Sequence, residues 1–156
     1  MQPSSLSTRT SPINPLKIAQ GMCGYLLIVF PLAYTWHLVA FEATYRELGY
    51  FAREEPIIAF GFGAIAMQGL LLSFIYPHLR REKTPLQGAA TFALVMGTYH
   101  WTTHVLAEAA KHPISPLTTW FVLETAFLAI QFTLGGLMLA WVYRDGGEGA
   151  TLRAAG

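Results

Sequence analysis

The chain has 156 residues, of which 53% are hydrophobic and 12% charged, with a formal net charge of +1. Soluble domains carry about 25% charged residues, so half the usual surface charge is missing and bilayer lipid is the simplest cover for such an exterior. The near-neutral balance gives no basis for nucleic-acid binding, and the lone Cys23 excludes an internal disulfide and any multi-cysteine metal site.

The chain opens on MQPSSLSTRTSPIN, rich in Ser, Thr and Pro. It has no apolar core and no small-residue cleavage site, so residues 1–16 read as a disordered cytoplasmic tail rather than a secretory signal. The end, RDGGEGATLRAAG, reads as a second flexible cytoplasmic tail, 144–156.

A membrane-crossing helix needs about 20 mostly apolar residues. Four stretches qualify: 17–41, 57–76, 88–110 and 117–143. None shows the charged stripe of a soluble amphipathic helix. The fold expected is all-α: a polytopic membrane protein with a four-transmembrane-helix bundle. Pro31 is expected to kink the first span. Three starts share one pattern, a capping residue, then Pro, then Leu: Asn14-Pro15-Leu16, Thr84-Pro85-Leu86 and Ser115-Pro116-Leu117. Pro suits the first helical position, and the preceding side-chain oxygen caps a free amide one turn on. Thr84 with Gln87 fits a capping box. Glu54-Glu55-Pro56 places negative charge before the second span.

Lys and Arg set the orientation. With the N-terminus inside, the inner side holds Arg9, Lys17, Arg80, Arg81, Lys83, Arg144 and Arg153, against Arg46, Arg53 and Lys111 outside. This predicts a multi-pass protein of the inner membrane with both termini cytoplasmic. The connection FEATYRELGYFAREEP carries Phe41, Tyr45 and Leu48 at helical spacing and an i,i+4 pair, Glu42 with Arg46. It reads either as a short helix on the membrane surface or as a solvated loop.

Polar residues inside the spans are functional candidates. His100, His104 and Glu108 fall on one face of the third span, continued inward by Ala89, Ala93 and Gly97. That small-residue pattern lets a neighbouring helix approach, so the histidines are expected to face the bundle. At 1.5 Å per residue, His37, His104 and Glu124 all lie roughly 6 to 11 Å below the outer boundary. Gln68, His100 and Gln131 form a deeper layer at roughly 15 to 21 Å. Glu108 lies nearer the water, with Lys111 as its expected partner. For Gln68 and Gln131 the simpler reading is interhelical glue. Gly61, Gly63, Gly69, Gly135 and Gly136 read as close-packing sites. A parallel between the two halves (His37 then Glu42, His104 then Glu108, with a central Gln in the second and fourth spans) has no fixed period and reads as coincidence.

Three functions remain open on these residues. A His/Glu track can bind or conduct a proton, a cation or a small polar solute, because histidine titrates near neutral pH. His37 and His104 can ligate a haem iron, or with Glu124 a divalent metal. The chain can also be a non-catalytic accessory or assembly subunit. Its expected partners are the lipid bilayer and either further copies of itself or a larger membrane complex. His-x3-His is not the zinc-protease motif, since Trp101 follows His100. No GxGxxG, P-loop, GxSxG or CxxC is present, so nothing points to an enzyme.

The run AKHPISPLTTWFVLETAFLAIQFTLGGL, with QGLLLSFIYP before it, resembles a group of small bacterial four-helix integral membrane proteins described only as a domain of unknown function. The resemblance covers roughly residues 57–143. It implies an inner-membrane protein and carries over no activity and no site residues.

Overall fold

The computed structural model describes residues 14–51 and 53–144. Most of both expected tails therefore lies outside the described residues. The described residues are helical, with no strand among them. Helix α1 spans Pro15–Thr35 and continues as a π-helical turn, Trp36–Ala40. Helix α2 is the short Glu42–Glu47, and α3 spans Ile58–Arg80. Helix α4, Pro85–His100, runs through a second π turn, Trp101–Leu106, into α5, Ala107–Lys111. Helix α6 spans Leu117–Val142. Three helical segments are long and apolar enough to cross a membrane: Pro15–Ala40, Ile58–Arg80 and Leu117–Val142. The run from Pro85 to Lys111 is as long, but Thr98, His100, Thr102, Thr103 and His104 lower its hydropathy and it is not one of the three.

The helix starts follow local chemistry. Asn14 accepts from the Leu16 and Lys17 amides, and helix begins at Pro15, two residues inside the expected tail. Thr84 and Gln87 form the capping box in both directions. Two expected caps are corrected. Pro116, not Ser115, stands at the α6 N-cap with no side-chain cap, and the Ser115 amide donates to the Leu48 carbonyl instead. Helix α3 begins only at Ile58, with no acid in its first turn, because Ile57 rather than the Glu54-Glu55 pair occupies its cap. Pro31 sits inside α1, five residues ahead of the π turn.

Helix α1 packs along α3 and α4 along α6; these pairs meet through α1 with α6 and, more loosely, α3 with α4. Helix α6 is the most enclosed, half of its apolar window being buried against 17% for α1 and α3. Leu27, Phe60, Leu94 and Val122 stand exposed, as apolar helices facing lipid would place them. Small residues bring the backbones together. A Cβ on Gly136 would lie 2.8 Å from the Ala89 carbonyl, and one on Gly69 would lie 3.1 Å from the Met22 carbonyl. Gly135 lies against the Tyr25 ring. Gly61 and Gly63 are not packing sites: neither has anything within 4 Å of a built Cβ.

At one end of the structure, Lys17 Nζ donates to the Val142 carbonyl at 2.5 Å, and Arg80 donates to the Tyr143 and Arg144 carbonyls. Cations there complete the last carbonyls of α6 and suit its negative end. At the other end, α2 does not lie on a surface. Tyr45 and Leu48 are buried, because the chain turns back over the ends of α1 and α6 and drives both side chains inward. The Glu42–Arg46 pair stays outside, closing at 2.8 Å.

Candidate functional site

Glu124 sits two turns into α6 and is wholly buried. Three elements supply its partners. The Tyr45 hydroxyl, from α2, donates to Oε1 at 2.5 Å. His104 Nε2, from the second π turn, lies 2.9 Å from Oε2. His37 Nε2, from the first π turn, lies 3.5 Å from Oε1. His37, His104 and Glu124, placed at one depth by residue counting, therefore meet around one carboxylate.

Both histidines stand on π turns. Such turns are rare and occur often at functional sites, since each inserts a residue and strands a carbonyl. Here the stranded groups find partners. Phe41 N–H closes the first turn on the Trp36 carbonyl at 3.0 Å, and His37 Nδ1 bonds the Ala33 carbonyl at 3.0 Å. In the second turn, the Thr102 and Thr103 hydroxyls donate to the Tyr99 carbonyl, and Trp120 Nε1 donates to the Val105 carbonyl at 3.0 Å. Side-chain donors of this kind are what permit irregular backbone in an apolar setting.

The ring geometry constrains the protons. A carbonyl only accepts, so His37 Nδ1 carries hydrogen. If that ring were neutral, its Nε2 lone pair would face the Glu124 carboxylate. The arrangement is attractive only with one further proton, on His37 or on the carboxyl. An imidazolium there also balances a charge that would otherwise cost several kcal/mol to bury. His37 is packed for this position, stacked on Tyr45 at 4.9 Å and edge-on to Phe127 at 4.5 Å.

The deeper layer also assembles. Gln131 Nε2 donates to the Tyr25 hydroxyl at 2.9 Å and to Gln68 Oε1 at 3.1 Å. Tyr25 donates to the same Gln68 oxygen at 2.9 Å, and Gln68 Nε2 lies 3.4 Å from His100 Nδ1. The His100 and His104 rings are 5.5 Å apart, joining the two layers. Glu108 is not part of this network; it bonds Lys111 at 2.6 Å and His112 at 3.0 Å.

Sequence reading missed Tyr45 and Tyr25. For Tyr25 a signal was present: a phenol deep in an apolar span needs a partner for its hydroxyl. For Tyr45 the helical spacing with Phe41 and Leu48 was visible, but not the face it would bury. The ligands open to a metal or haem iron are the two Nε2 atoms and the Glu124 carboxylate. Glu124 is hydrogen-bonded to His104 and lies 3.5 Å from His37, and among the described residues no group of three His, Cys, Asp or Glu has metal-holding geometry.

No protein family, curated protein or solved structure matches the chain.

Proposed function

We propose that the chain is a four-span protein of the inner membrane, with both termini cytoplasmic, whose Glu124 cluster binds an exchangeable proton in the outer half. Pro85 to Lys111 serves as the remaining span in this reading; at 1.5 Å per residue it is roughly 40 Å long, enough to cross. The excess of Lys and Arg on the loops beside α6's C-terminus supports the orientation. The observation that carries the reading is the commitment of His37 Nδ1 to the Ala33 carbonyl, which leaves a proton-sized deficit between His37 and Glu124. His104 and His100 then lead from that cluster toward the midplane, where Gln68, Gln131 and Tyr25 close the polar layer.

The test is nitrogen-15 NMR of the histidine rings in liposomes. His37 is expected to show both nitrogens protonated, to exchange that proton with external water, and to revert to a neutral ring in Glu124→Gln. A neutral His37 beside an ionised Glu124, with Glu124→Gln and His104→Ala merely lowering thermal stability, would reduce these residues to helix glue. One observation favours a second reading. A histidine held through Nδ1 by a carbonyl is also the arrangement that orients a metal ligand. About one zinc per purified chain, lost in His104→Ala, would select that alternative.

A further inference from the structure

A cleft of about 460 Å³ opens between α3 and α4, against α6. Leu71, Leu72 and Ile75 form one wall, Val95 and Met96 the other, and Phe132 the back. Its polar lining is confined to Gln68, Tyr99 and His100. The cleft exists because α3 and α4 pack loosely, with Leu71 and Val95 both exposed at its rim.

His100 fixes what the cleft can hold. Its Nδ1 faces the amide nitrogen of Gln68, which only donates, so Nδ1 accepts and Nε2 carries the hydrogen. The Gln68 amide is itself oriented, because its oxygen accepts from both Tyr25 and Gln131. Among the described residues nothing accepts from His100 Nε2–H. The cleft thus pairs an apolar groove with a donor at one end. An acyl chain would fill the groove and leave that donor unpaired, which is costly in an apolar medium. Depth narrows the choice. His100 lies roughly 16 Å from the Lys111 end of its run, near the middle of a bilayer core of about 30 Å. A phospholipid headgroup does not reach that level. The acceptor must belong to a molecule dissolved in the hydrocarbon itself.

We infer that the α3–α4 cleft binds a membrane-dissolved lipophile with a carbonyl head, of the quinone class, whose oxygen accepts from His100 Nε2–H while its apolar tail leaves between Leu71 and Val95. The volume falls within the range of about 300–1,000 Å³ usual for small-molecule sites. The inference rests on the reading of Pro85–Lys111 as a membrane span, which sets the depth of His100, and not on the protonation state of the Glu124 cluster.

Binding is tested on the full chain in lipid nanodiscs, titrated with decylubiquinone, and in parallel with an alkylbenzene of the same tail that lacks carbonyls. Saturable binding of about one quinone per chain is expected, and the alkylbenzene should bind roughly fivefold to tenfold more weakly, the worth of one hydrogen bond. His100→Phe should bring the two compounds to similar affinity. Val95→Trp fills the cleft from its lipid-facing rim and should abolish binding of both; Leu71→Trp, from the opposite wall, repeats the test should the first variant fold poorly. Equal affinity for the two compounds in the unmodified chain would make the cleft an acyl-chain slot and overturn the inference. So would quinone binding unchanged in both tryptophan variants, or no saturable binding at all.

Discussion

Tyr45, in the connection between α1 and α3, places its hydroxyl 2.5 Å from Glu124, in the interior of α6. The contact spans 79 positions of sequence and joins the short connecting helix α2 to the most enclosed helix of the fold. The same hydroxyl accepts from Trp36 Nε1 at 3.1 Å. Tyr45 therefore ties the first π turn, the connection and the buried carboxylate together. The connection is the roof of the site.

Tyr45→Phe tests that role. It keeps the ring and its contacts with His37 and Trp120, but removes the donor to Glu124 and the acceptor for Trp36. The buried Glu124 carboxylate and the partly buried Trp36 indole each lose a partner, so the expected loss is about 1.5–3 kcal/mol of stability. Thermal unfolding in detergent measures it. In the double variant with Glu124→Gln the two losses should fall short of their sum, since both act on one hydrogen bond. Full additivity would mean that the Tyr45–Glu124 contact carries no energy.

The sequence alone disclosed the helices and much of the polar centre, for a simple reason. Hydropathy marks where a span begins, and the rise per residue then fixes the depth of every side chain on it. Depth alone paired His37, His104 and Glu124, and paired Gln68, His100 and Gln131. Depth does not provide azimuth. The π turns each insert a residue and rotate the next stretch of helix, and no composition marks them. Glu108 pairs with Lys111, as their spacing predicts, and also with His112. Azimuth also separates the glycines: Gly69, Gly135 and Gly136 pack closely, whereas Gly61, like Gly69 in sequence, faces open space. Tyr45 was hidden because it reaches the site through a reversal of the chain that only packing determines.

The glycine contrast gives a second prediction. Gly136→Ala puts a Cβ 2.8 Å from the Ala89 carbonyl, a backbone atom that cannot swing aside. Helices α4 and α6 would have to separate, at a cost of about 1–3 kcal/mol. Gly61→Ala meets nothing within 4 Å and should gain about 0.5–1 kcal/mol from helix propensity. The two melting temperatures, measured side by side, should move in opposite directions. A neutral Gly136→Ala would show that α4 and α6 do not approach as closely as this geometry requires.

Alkaline pH should loosen the roof of the site first. Burial raises the Tyr50 phenol from its ordinary value of 10.0 to about 12, with the Glu124 and Glu108 carboxylates adding to the effect. Tyr45 is raised further, by burial and then by Glu124 beside it. A phenol whose folded-state value lies above its unfolded value favours folding while it stays protonated. That contribution is complete below pH 10, where folded and unfolded chains both hold the proton. Between pH 10 and about 12 the unfolded chain releases the Tyr50 proton and the folded chain retains it, so stability falls across this window. Tyrosinate absorbance should therefore show Tyr50 ionising late, near pH 12, and Tyr45 later still. Tyr50→Phe should flatten the decline of melting temperature with pH above 10 while leaving the neutral-pH melt less affected. A decline equally steep in Tyr50→Phe and Tyr45→Phe would place the alkaline transition elsewhere in the fold.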